Sequence, residues 1–225
     1  MNDVLQNPVW GALTSGDRGL SFGTATVKFF DESVSPFAGF AEGYDKGFDE
    51  LHDLLPPGRN ILYAVPNTLE PPKGWQLLHG IPGRQFVYEG GAAAAAPFDL
   101  VPLAEEHTAQ MVELAALTRP GPFGPGTPNF GHYYGIFDGG QLVAMTGQRL
   151  HVYGYTEISA VCTHPEHLGK GHAAALVQHA INLIRQQGQT PFLHVRADNQ
   201  RAIALYERLG FALRRPMNFY VLKRG

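Results

Sequence analysis

Cysteine is almost absent from this chain. Cys162 stands alone among 225 residues, so no internal disulfide can form and a stapled secreted scaffold is excluded. No run of about 18 apolar residues occurs, which leaves no segment that reads as a membrane-spanning helix. The opening residues, MNDVLQNPVW, hold no basic stretch ahead of an apolar core and do not read as a secretion signal. Positive charge is not in excess: 17 Lys and Arg against 20 Asp and Glu give a formal net charge of −3. Phosphate neutralisation needs a basic face, so nucleic acid is not expected as the main partner. His164, His167 and His172 lie close together, but no cysteine or carboxylate completes a zinc spacing, and no metal is expected. What is present, 44% hydrophobic against 16% charged residues, suffices for a packed core. The length allows one large domain or two small ones, at about 100–200 residues each. These features together suggest a cytoplasmic enzyme or binding protein.

Glycine and proline punctuate the chain. The clearest break is Glu89-Gly90-Gly91, followed by five alanines and Pro97. It carries no periodic apolar face and reads as a linker over 92–97, between a region 1–91 and a region 98–225. The alanines could also extend a short helix, which Pro97 would stop. In the first region, residues 44–55 predict a helix with Phe48, Leu51, Leu54 and Leu55 on one face, and 60–65 and 85–88 predict short strands. No chemical motif appears there, and a small α+β packing region is expected.

The second region is more regular. A strand is predicted over 98–103 and a helix over 105–117, with Met111, Leu114, Ala115 and Leu117 near one face. Proline and glycine recur too densely over 118–126 for anything but a loop. Strands at 133–137 and 141–150 flank Asp138-Gly139-Gly140, a strong hairpin signal. Another strand follows at 156–163. Ala173, Leu176, Val177, Ala180, Ile181 and Ile184 form an apolar stripe on a helix over 171–187. A strand at 192–195, a helix at 199–209 stopped by Gly210, and two strands at 211–215 and 218–222 complete the order. The predicted class is α/β, a mixed sheet with helices on its faces.

The stretch from Ala160 to Ala174 is the most informative. A strand ends at Pro165, a turn containing Gly169 and Gly171 follows, and a helix starts at once. Helix N-termini leave four backbone N–H groups unpaired and carry about half a positive charge. Glycines let an anion approach the backbone closely, and Lys170 can add charge. The plainer alternative is an ordinary strand–helix turn. A nucleotide P-loop needs Gly-Lys-Ser or Gly-Lys-Thr, and Gly169-Lys170-Gly171 fails that pattern. Gly169-x-Gly171-x-x-Ala174 matches the dinucleotide fingerprint, but too few strands remain for a Rossmann unit.

The stretch 156–211 resembles the GNAT superfamily of acyl-CoA N-acyltransferases. Glu157-Ile158 and Val161-x-x-His164-Pro165 are similar to its fourth strand, and Leu168-Gly169-Lys170-Gly171-His172-Ala173 to its pyrophosphate loop. Asp198-Asn199-x-x-Ala202-x-x-Leu205-Tyr206-x-x-x-Gly210-Phe211 resembles its following helix and strand. Leu168 stands where the family usually has Gln or Arg, a departure that bears on affinity, because the family's phosphate contacts are mostly backbone N–H groups. With Glu113-Leu114-x-x-Leu117-Thr118-x-Pro120-Gly121-Pro122-Phe123, the C-terminal half is most similar to a subgroup containing glycine N-acyltransferase-like proteins. There a divergent N-terminal half precedes the acyltransferase domain.

The resemblance implies a GNAT fold in the C-terminal half behind a smaller divergent α+β region. It implies direct transfer, in a ternary complex, from acetyl-CoA or another short acyl-CoA to a small-molecule or protein amine. By the same resemblance Tyr206 is the acid for the departing thiolate, although its place in an apolar helical stripe also suits plain core. Glu157 is the expected base, working through water, or else a solvated strand-edge carboxylate. Val161, Cys162 and Thr163 bring backbone to the thioester and pantetheine. Leu168, Gly169, Lys170, Gly171, His172 and Ala173 hold the phosphates. Asn199 bonds the pantetheine arm or caps its helix. Cys162 reads as a small apolar filler rather than a nucleophile. The 118–126 loop lies where the family builds its acceptor wall. An acyl-CoA-binding sensor or interaction protein with weak or no turnover is the competing expectation.

Overall fold

The computed structural model describes residues 3–93 and 98–225. In chain order the elements are α1 (Pro8–Thr14), β1 (Ser21–Gly23), β2 (Val27–Phe30), β3 (Ala38–Phe40), α2 (Gly47–Leu54), β4 (Asn60–Val65) and β5 (Trp75–Tyr88). Then come β6 (Val101–Pro102), α3 (Thr108–Thr118), β7 (Tyr134–Asp138), β8 (Gln141–Val152) and β9 (Tyr155–Thr163). The chain ends with α4 (His172–Gln186), β10 (Thr190–Arg196), α5 (Gln200–Arg208) and β11 (Phe211–Arg224). The expected mixed α/β sheet is present, and from residue 98 onward each predicted element has a counterpart, apart from the final pair of strands.

An eight-stranded sheet runs in the order β4-β11-β5-β10-β9-β8-β7-β6, beside a three-stranded antiparallel sheet of β1, β2 and β3. This corrects the division into regions 1–91 and 98–225. β5 is hydrogen-bonded to β10 on one side and to β11 on the other, so the first half of the chain completes the sheet of the second. The linker expected at 92–97 falls largely on residues 94–97, which lie outside the described residues. The strands expected at 211–215 and 218–222 are one strand, β11. Pro216 is tolerated there because β4 pairs with β11 only from Asn218 onward, which leaves one flank of the strand open at the proline.

The sheet has two covered faces. Val177, Ile181 and Ile184 of α4 and Ile203 and Tyr206 of α5 pack on Phe86, Ile158, Leu193 and Phe211. On the other face α1 and the segment 30–37 bury Leu5, Val9, Leu13, Phe30 and Phe37 against Leu150, Phe192 and Met217. Beside them α3 buries Met111 and Leu114 against Tyr133, Met145 and Cys162. α1 has only 7 residues, with Asn7 Oδ1 accepting from Trp10 N–H at its start and Pro8 in its first turn. A helix that short is marginal alone, and burial of Val9 and Leu13, worth about 1.5–3 kcal/mol each, holds it to the sheet.

Candidate functional site

β9 and β10 are the parallel neighbours at the centre of the sheet. They pair only from Tyr155 to Glu157 against Thr190 to Phe192, and then part. On the other side of β9, Met145 pairs with Cys162 and Gly147 with Ser159, so Ala160 and Val161 together oppose Thr146. Ala160 sits at φ +52°, a left-handed conformation uncommon for a residue with a side chain. Such a bulge bends the strand and frees local backbone groups from the ladder. The splay and the bulge fall on the same stretch of β9, where the half-buried Val161 and Thr163 flank the buried Cys162.

Past β9 a 3-10 turn at Pro165–His167 leads into Gly169 at φ +82° and Gly171 at φ +85°, and α4 begins at His172. Gly171 caps the helix without a side-chain hydrogen bond. Among the described residues, no N–H from 169 to 174 donates to a backbone or side-chain acceptor. The space in front is open: a Cβ at Gly169 would meet nothing within 4 Å, and one at Gly171 only Phe98 Cε2 at 4.0 Å. Lys170 Nζ lies 3.3 Å from His167 Nδ1 at the rim. Burial first, and then the nearby His167 and Lys170, lower the pKa of His172, whose buried Nδ1 has no partner among the described residues. Leu168 is 46% exposed beside this cradle. Residues 168–173 thus form one turn that leads into the uncapped start of α4.

α5 runs past the splay. Asn199 Oδ1 caps it by accepting from Ala202 N–H at 3.1 Å, while its side-chain NH2 makes no bond among the described residues. Tyr206 is buried with its ring edge-on to Phe211 at 6.0 Å. Burial, then the neighbouring Cys162, raises its pKa, so the phenol stays protonated. Burial also pushes the Cys162 thiol up to about 11, over the opposing pull of hydrogen bonds at Thr118 and the Met145 backbone. A thiol so placed is not a nucleophile at neutral pH.

Glu157 lies at the root of the splay, but not as a solvated strand-edge group. It is 0% exposed. Arg149 donates to both its oxygens, Nε to Oε2 at 2.8 Å and Nη2 to Oε1 at 2.9 Å. His194 Nδ1 lies 2.7 Å from Oε1. Gln85 Nε2 donates to Leu5 O at 2.9 Å and sits 3.0 Å from His194 Nε2. An amide nitrogen only donates, so Nε2 of His194 accepts, and Nδ1 carries the proton toward Glu157. Burial alone would raise the carboxyl pKa. The charge and hydrogen bonds of Arg149, with His194, outweigh it and hold Glu157 at about 2. The geometry does not favour the water-mediated base role expected for this residue: both oxygens are occupied and the group is too acidic to take an amine's proton readily.

A match to the FR47-like protein family spans residues 133–220. A GNAT-family protein of Novosphingobium aromaticivorans is 33% identical over 100% of both chains, with a TM-score of 0.93. The chain belongs to the GNAT family. Two more distant structures share the fold: a GCN5-related N-acetyltransferase of Kribbella flavida and a GCN5-related N-acetyltransferase-like protein of Streptococcus suis. The first is 16% identical over 99% of this chain and 95% of its own, with a TM-score of 0.63. The second is 15% identical over 97% and 94%, with a TM-score of 0.62. No curated protein matches the sequence.

In this GNAT chain residues 3–40 form a cover over the face of the sheet that carries Glu157. The Arg149 guanidinium lies 4.9 Å from the centre of the Phe37 ring. The 118–126 loop is seated on the same cover. Gly126 N–H donates to Ser33 O at 3.0 Å and Thr127 Oγ1 to Val34 O at 2.8 Å. Arg149, His194 and Gln85 were not singled out in the sequence. A register counted back from the tight turn at Tyr153-Gly154 pairs Glu157 with Leu150. A second bulge at Leu150, φ +43°, shifts the ladder and brings Arg149 opposite instead.

Proposed function

We propose that this chain transfers a short acyl group, acetyl foremost, from its CoA thioester directly to an amine in a ternary complex. One combination carries the reading: uncapped N–H groups at 169–174 follow β9, which parts from β10 after Glu157, and Tyr206 packs with Ile158 and Leu193 of those two strands. A pyrophosphate on the first feature directs its pantetheine arm into the second. The neutral amine adds to the thioester carbon, the C–N bond forms as the C–S bond breaks, and Tyr206 gives its proton to the leaving thiolate. The amine's proton leaves to water, and Tyr206 is reprotonated from solvent. Backbone groups freed at the Ala160–Val161 bulge suit the oxyanion. Glu157 serves as a positioning residue, tying β8 and β10 together at the root of the splay through Arg149 and His194. The glycine N-acyltransferase-like subgroup remains a reading of residues 113–123 alone. Among the described residues no helix is long and apolar enough to cross a membrane, and a cytoplasmic site of action is part of this proposal.

Calorimetry with acetyl-CoA, followed by thiol release across a panel of primary amines, tests it. Binding with amine-dependent release is expected, and no affinity at millimolar acetyl-CoA would end the reading. The enclosed Glu157 and the apolar Leu168 favour a second reading, an acyl-CoA-binding sensor, which binding without release for any amine would support. Leu168→Arg puts a cation at the rim of the cradle, worth about 0.3–1 kcal/mol at such an exposed site. Acetyl-CoA is therefore expected to bind the variant roughly two- to five-fold more tightly. An unchanged Kd would mean that position 168 does not face the phosphates.

A further inference from the structure

Tyr133 is 2% exposed and immediately precedes β7. Its ring lies against the backbone of Gly147 in β8, so closely that a Cβ there would come within 2.2 Å of Cδ1 and Cε1. Phe123, from the 118–126 loop, meets it edge-on at 5.8 Å. Glycine on one side and an aromatic on the other fix the ring, and with it the direction of the hydroxyl. That hydroxyl is buried and has no hydrogen-bond partner among the described residues. Burial raises its pKa, and Arg149, Glu157 and Cys162 all act on it electrostatically. Cys162 acts on the Tyr206 hydroxyl as well. Tyr133 shares its cluster under α3 with Cys162, while Tyr206 packs with α4 and α5 on the opposite face of the same sheet.

We propose that Tyr133 is a second catalytic residue of the site, its hydroxyl oxygen accepting a hydrogen bond from the attacking amine on the face of the thioester opposite Tyr206. This rests on the acyl-transfer reading above. A buried hydroxyl left unpaired is costly unless something completes it, and its place beside Cys162 makes that partner a reactant. Neither neighbouring charge bonds it: Arg149 and Glu157 are paired with each other instead. Glu157, the carboxylate that acts on Tyr133, is already held by Arg149 and offers an ammonium no free counter-ion there, so the nucleophile is taken to arrive as a neutral amine. One N–H donated to Tyr133 leaves the nitrogen lone pair to face the carbonyl carbon. The surrounding Met111, Leu114 and Phe123 are apolar, which fits a primary amine on an apolar stem.

The test uses the full chain labelled with 3-fluorotyrosine, with Tyr133→Phe identifying the resonance. Saturating acetyl-CoA is expected to shift that 19F signal, and benzylamine added with CoA present to shift it again. In thiol-release assays with benzylamine at pH 9, Tyr133→Phe is expected to lower the rate at least ten-fold with acetyl-CoA affinity unchanged. The thermal midpoint should not fall, because the ring stays on Gly147 and only an unpaired hydroxyl is lost. A signal unmoved by saturating acetyl-CoA overturns the assignment, whichever amine is turned over. A wild-type protein that does not bind acetyl-CoA in calorimetry brings down the acyl-transfer reading and this one together.

Discussion

Tyr206→Phe is expected to slow acetyl-CoA-dependent thiol release by about 10²–10⁴-fold, the usual contribution of a positioned acid, while the Kd for acetyl-CoA stays within two-fold. The argument for a selective effect is structural. Phenylalanine keeps the ring against Phe211 and in the cluster with Val177, Leu193 and Ile203, so the fold has no reason to shift. The hydroxyl makes no hydrogen bond among the described residues, and its loss breaks no network. Its pKa is raised by burial first and then by Cys162, so it carries its proton at neutral pH. Sulfur gains negative charge as the C–S bond breaks, and only then does it draw on the phenol's proton. The defect should therefore fall on kcat rather than on binding. Steady-state thiol release, paired with calorimetry, separates the two, and an unchanged kcat removes Tyr206 from the mechanism.

Much of the C-terminal architecture is legible because its signals are local. The Asp138-Gly139-Gly140 turn, the apolar stripe of α4 and the left-handed Gly210 each fix an element within a few residues. The N-terminal half hides its part for a physical reason. β5 contains Gly80, Pro82 and Gly83, residues that read as turns. Yet Gly83 is needed there because a Cβ would strike the Phe219 ring at 2.5 Å, a neighbour 136 positions along the chain. Nothing local reports that requirement. The signal for α1 is present, Asn7 before Pro8, but seven residues give too little periodicity to weigh it.

The site divides in the same way. The cradle at 168–173 is legible because glycine spacing and a helix start are properties of one short segment. The environment of Glu157 is not. Whether a strand carboxylate is solvated or enclosed depends on what covers the sheet, and the cover here comes from Leu5, Phe37 and the loop seated on Ser33. The two non-glycine positive φ angles in the β8–β9 hairpin, Leu150 and Ala160, reset the register twice. The first puts Arg149 rather than Leu150 opposite Glu157, and the second restores the original register, so that Met145 faces Cys162 as it would in a regular ladder.

Arg149→Ala is expected to give the largest loss of stability. Removing one member of a buried ion pair leaves the other uncompensated and costs about 3–5 kcal/mol. For a domain of this size that lowers the melting temperature by about 6–20 °C. Glu157 would retain only the His194 contact. If the loss comes from a stranded charge rather than from lost packing, replacing both partners by apolar residues should restore much of it. Arg149→Met combined with Glu157→Leu is therefore expected to melt above Arg149→Ala, although His194 Nδ1 loses its acceptor. A double variant that melts at or below the single one would sink that account. The pH dependence follows from the same pair. Glu157 has a folded pKa of about 2 against an ordinary 4.5, so the folded state binds its proton less readily than the unfolded state. Its contribution is complete above about pH 5 and declines as pH falls through 4.5 toward 2. In Glu157→Leu/Arg149→Met this part of the acid sensitivity should disappear. Thermal melts between pH 3 and 6 on the wild type and the double variant measure it, and parallel curves would show that other carboxylates set the acid limit.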